Sequence, residues 1–97
     1  MRDRFLSGKG KITKQRDYLA TVNYMLAIRE EEPVAGSIRV VSGASGLTLY
    51  ESQENLELYL DDGRCLTIVI QTPIDLTDDS WHILGSGSMR QPTTGIV

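Results

Sequence analysis

From Leu56 onward leucine alternates with other residues through Leu58 and Leu60, Asp61-Asp62-Gly63 interrupts the run, and Leu66, Ile68 and Ile70 resume it. A period-two pattern broken by a turn cluster predicts a β-hairpin. The tip also selects the register. A two-residue Asp-Gly turn would pair Leu58 with Thr67 and send Leu66 to the opposite face. A three-residue loop with Gly63 in the left-handed region pairs Leu58 with Leu66 and Leu56 with Ile68, which gathers the apolar residues on one side. Glu57, Tyr59, Cys65 and Thr67 then share the other face.

The same periodicity runs through much of the chain. Gly8, Gly10 and Ile12 alternate with Lys9 and Lys11, a strand signal weakened by glycine. Tyr18, Ala20, Val22, Tyr24, Leu26 and Ile28 fall on one side of a strand, while Tyr18, Leu19, Val22, Met25 and Leu26 fit a helical stripe. Thr21, Val22, Ile28 and the tyrosines favour the strand. So does Glu30-Glu31-Glu32, which would oppose the dipole at a helix C-terminus. A strand of this length is expected to bend or bulge. Strands are further predicted at Ser37 to Val41, with Ile38 and Val40 inward, at Leu47 to Tyr50, and at Trp81 to Met89. Thr72 to Ser80 reads as a polar loop.

These elements predict an all-β fold, a small antiparallel barrel of six or seven strands in meander order. The alternative is α+β, with residues 18–30 helical. Residues 1–6 read as a flexible lead, 7–89 as the single domain and 90–97 as a disordered tail. The pairs Gly8/Gly10 and Gly85/Gly87 have matching spacing. They suggest first and last strands lying side by side to close the barrel.

Length sets the scale: 97 residues make one modest core. A lone cysteine forbids an intrachain disulfide, suits a reducing compartment and reads as a packing residue. No run is long enough for a membrane span, and the first nine residues lack the apolar core of a secretory signal, so a cytoplasmic protein is expected. The net charge of −3 conceals an asymmetry: the first sixteen residues carry about +5 and the rest about −8.

Candidate chemistry is sparse. His82 is the only histidine, and its neighbour Ser80 belongs to no nucleophile motif. A small enzyme would have to pair His82 with Asp78 or Asp79. Asp75, Asp78 and Asp79 lack the spacing of a calcium loop, and Gly8-Lys9-Gly10-Lys11 is not a phosphate loop. No catalytic residue, metal or cofactor is therefore assigned. The chain reads as a non-enzymatic binding or assembly module acting through protein–protein contact, with another protein or a second copy as partner. Tyr59, Thr67 and Val69, together with Cys65, offer a semi-apolar strip for that contact. The alternative is an anion or nucleic-acid binder using Lys9, Lys11, Lys14 and Arg16. Nucleic acid is the weaker expectation, because the outward aromatics sit among acids and no run of glycine and aromatics of the RNA-binding type occurs.

Overall fold

Leu58 faces Leu66 and Leu56 faces Ile68, the register expected of a three-residue loop, and Gly63 adopts φ +93°. In the computed structural model, which describes residues 4–29, 32–52 and 56–90 (backbone alone at 87–88), this hairpin joins β4 (Leu56–Tyr59) to β5 (Cys65–Asp75). Asp62 locks its tip: one carboxylate oxygen accepts the Arg64 amide at 2.9 Å and the other the Arg64 Nε at 2.8 Å. The Arg64 guanidinium holds the Asp62 carboxyl below its ordinary range.

The remaining described elements are β1 (Arg4–Lys14), β2 (Asp17–Ile28), β3 (Ala35–Gly43), α1 (Gly46–Glu51) and β6 (Ser80–Arg90). The six strands form one closed antiparallel barrel in the order β1-β2-β3-β6-β5-β4. Residues 18–28 are strand, so the helical alternative falls. β2 carries the expected bulge, and β3 carries a second one. Leu19 is an extra residue opposite β1, and Val41 is an extra residue of β3 opposite β2. Each bulge flips one side chain outward: Tyr18 leaves the inward row of Ala20, Val22, Tyr24 and Leu26, and Val41 lies exposed beside half-buried Val40.

Closure differs from expectation. β1 and β6 are not neighbours; the seams are β1 with β4 and β3 with β6. The chain makes two three-stranded meanders, and α1 carries it from one to the other. The glycines serve local approach instead: a side chain at Gly10 would strike the Tyr59 carbonyl, and one at Gly85 would crowd Val34 and Leu66. The circuit is strongly staggered. Ile68 leads through Leu56 to Lys14, whereas its neighbour Val69 leads through Leu84, Ala35 and Ala27 to Phe5. One turn of the barrel thus slips roughly ten residues along β1, a steep tilt that a narrow six-stranded barrel needs to close.

Leu47 to Tyr50, expected as strand, is helix. Ser45 is the N-cap and its Oγ accepts the Thr48 amide at 3.2 Å. Asp79 reaches across from the β5–β6 turn to accept the Gly46 amide at 3.0 Å and the Trp81 Nε1–H at 2.9 Å. Tyr50 stacks on Trp81 with centroids 5.7 Å apart, and fully buried Leu49 enters the core. α1 therefore plugs one end of the barrel. Two other boundaries move. β1 begins at Arg4, so Arg4, Phe5 and Leu6 are strand and not lead-in, and β5 runs to Asp75 through the segment expected as loop. The tail from 91 onward lies outside the described residues, whereas Arg90 ends β6.

The core joins Ile12, Val22, Leu26, Ile38, Leu49, Leu56, Leu58, Leu66, Ile68, Ile70, Trp81 and Ile83. Among the described residues no helix is long and apolar enough to cross a membrane. β2 leaves no room for a side chain at Gly36 of β3, where a Cβ would collide with the Met25 carbonyl and the Leu26 Cα. Backbone cannot yield as a side chain end can. Gly36→Ala is expected to lower the unfolding free energy by about 2 kcal/mol, against under ~0.5 kcal/mol for exposed Ser7→Ala, as read by urea denaturation.

Candidate functional site

The pleat of β1, β2, β3, β6 and β5 arranges the outer surface in rows. Phe5, Ala27, Ala35, Leu84 and Val69 lie in register as one apolar row. The next runs through Ser7, Met25, Ser37 and His82, and the one after through Lys9, Asn23, Arg39, Ser80 and Asp75. The outside of the barrel therefore grades from apolar to charged along the strands.

A groove of about 380 Å³ lies over the first two rows. Its floor is small, with Ala27, Ala35, Gly36 and Ser37, and includes His82. Phe5 and Met25 wall one side; Ile74, brought over by the register shifts that bend the end of β5, walls the other with Gln71. Phe5, Met25 and Ile74 are 69%, 60% and 50% exposed. Nothing within the described residues covers them, although apolar side chains of this size gain by leaving water.

His82 is exposed and opens into this groove with no carboxylate beside it in the lining. The acids proposed as its partners are engaged elsewhere. Asp79 holds Gly46 and Trp81, and Asp78 accepts the Ser80 hydroxyl at 3.3 Å. Asp75 accepts the Thr77 amide at 2.9 Å. Among the described residues no group of three His, Cys, Asp or Glu side chains is placed to hold a metal.

The expected strip of Tyr59, Thr67 and Val69 is divided. Arg90 crosses it, donating to Glu57 Oε2 at 2.8 Å and to the Thr67 hydroxyl at 3.4 Å, and Tyr59 donates to Glu57 Oε1 at 3.4 Å. Arg90 pairs with Cys65, which is buried although its strand position is outward, in keeping with a packing role. Val69 belongs to the apolar row beside the groove. The basic set is divided as well. Lys14 Nζ donates to the Ser52 carbonyl at 3.3 Å, and Arg16 occupies the tight β1–β2 turn with φ +74°. Only Lys9 and Lys11 converge, at a second hollow of about 380 Å³ shared with Gly10, Thr21, Tyr59, Leu60 and Asp61. Asp61 holds the Tyr24 hydroxyl there at 2.9 Å. Sequence reading misses the groove because it takes Phe5 as lead-in and Ile74 as loop, and the register that brings Phe5 beside Ala27 is not visible in the sequence.

Comparison with family models, with curated proteins and with solved structures yields no significant match for this six-stranded barrel.

The tyrosines give a pH readout of these surroundings. Burial, then the bond to Asp61, raises the Tyr24 pKa above its ordinary value. Hydrogen bonds from Thr21 and Ser42 lower that of Tyr18. A group whose pKa rises on folding adds stability below its unfolded value, near pH ~10, and loses it as pH climbs through the folded value. Phenolate absorbance is expected to show Tyr18 ionising before Tyr24. Tyr24→Phe is expected to cost about 1 kcal/mol at neutral pH and to flatten the alkaline loss of stability.

Proposed function

We propose that this barrel is a non-enzymatic binding module that works through protein–protein contact. One observation carries the reading: the groove walled by exposed Phe5, Met25 and Ile74, which the fold builds yet leaves open among the described residues. A small-residue floor between larger walls fits an apolar side chain presented by a partner protein. The bordering row of Lys9, Asn23 and Arg39 supplies the polar rim of an interface. The engagement of Asp78 and Asp79 elsewhere supports a role without catalysis. A reducing cytoplasm suits the single thiol of Cys65. The basic reading is weaker, because Asp61 shares the hollow with Lys9 and Lys11 and repels a compact anion.

Met25→Ser combined with Ile74→Ser takes one apolar side chain from each wall without touching the core. The double variant is expected to keep its melting temperature within about 2 °C, since surface substitutions change stability little. It is expected to lose the proteins that the native chain retains in parallel capture, or the self-association seen by sedimentation. A native chain that sediments as a strict monomer and retains the same proteins as the variant would refute the reading.

A further inference from the structure

The outer face of β3, β6 and β5 has two unlike flanks about its middle strand. Ala35, Leu84 and Val69 lie in register across these three strands, and so do Arg39, Ser80 and Asp75. Between the two rows, Ser37 pairs with His82. The β3 flank is low, with Ala35, Gly36 and Ser37 in the groove floor. The β5 flank is high, because Val69 and Ile74 stand 38% and 50% exposed. A further hollow of about 320 Å³ continues the depression past Met25 and Ser37 to Arg39.

Charge is divided in the same way. Arg39 is exposed and has no hydrogen-bond or ion-pair partner among the described residues. Asp75, also exposed, accepts the Thr77 amide through one carboxylate oxygen, and the other takes no bond among the described residues. A cation on one side of β6 and a carboxylate on the other, in one row, make the face complementary to itself. A two-fold axis along β6 lays β3 of one copy over β5 of the other. Arg39 then meets Asp75 twice, Val69 covers Ala35, and Ile74 enters the hollow beside Ser37. Leu84 and His82 lie on the axis and meet their own counterparts. Sheets packed face to face with aligned strands are a common arrangement.

We propose that the outer face of β3, β6 and β5 pairs with the same face of a second copy of this chain. Each Ile74 is seated in the other copy's hollow, and each Arg39 is paired with the other copy's Asp75. This rests on the protein-binding reading above and names its partner.

Sedimentation equilibrium of the full chain tests it. The native chain is expected to double its mass with a dissociation constant of roughly 1–100 µM, in keeping with a modest interface. Arg39→Asp alone sets carboxylate against carboxylate, and Asp75→Arg alone sets guanidinium against guanidinium. Each is expected to weaken pairing about tenfold or more. An equimolar mixture of the two variants restores both pairs and is expected to return to the native constant. Glu51→Lys on α1, away from this face, is expected to leave pairing unchanged. Thermal melts by circular dichroism show which variants fold, and Arg39→Asp decides the matter even where Asp75→Arg does not. Three results would overturn the proposal: a native chain still monomeric at about 500 µM, a folded Arg39→Asp variant that pairs as the native chain does, or a mixture of two folded variants that stays monomeric. A monomeric native chain that still captures another protein through Met25 and Ile74 removes the self-pairing alone. One that captures nothing through them removes the binding-module reading as well.

Discussion

The barrel closes through a strand of four residues. β1 and β5, each eleven residues long, share β4 between them, so neither is paired over its full length on that side. The hairpin register at Gly63 places Leu56 and Leu58 inward on that short strand, and both are fully buried. A slip of one residue would turn them to solvent and remove the wall that joins the two meanders. The steep stagger follows from the same constraint, as do the projecting ends of β1 and β5. Those ends carry the Phe5 and Ile74 sides of the groove.

Much of the architecture was legible because it is local. The β4–β5 hairpin and the long β2 strand announce themselves by alternation, and the left-handed Gly63 by the tip that contains it. Leu47-Thr48-Leu49-Tyr50 misleads for a physical reason: it alternates as a strand does, and one turn and a half of helix is too short to display a 3.6-residue period. What makes it helical lies partly elsewhere, in the Ser45 cap and in an Asp79 carboxylate thirty-three positions away. Closure was illegible likewise. Matching glycine spacings are equally consistent with tight approaches inside each half, and the β3–β6 and β1–β4 seams join segments distant in sequence.

The candidate site was less legible than the fold. Lys9 and Lys11 stand out by charge alone and do converge, but Lys14 donates to a carbonyl and Arg16 lies apart in the β1–β2 turn. Composition cannot reveal that division, because it depends on which turns and strands the fold brings beside each cation. The strip through Tyr59 and Thr67 looked semi-apolar until Arg90 was laid across it from the far end of the chain. A sheet surface is assembled from several strands, and a pattern read along one of them misses what its neighbours contribute.

The order β1-β2-β3-β6-β5-β4 reads the same when the first three strands are exchanged with the last three. Each half presents one outer strand to each seam, so the molecule has an approximate dyad in its connectivity although its two halves differ in length and content. Hairpins within either half form between near neighbours, whereas both seams require the halves to meet. The long-range contacts of the barrel are therefore concentrated at its two seams, and the entropy lost in closing long loops falls there and not in any single turn.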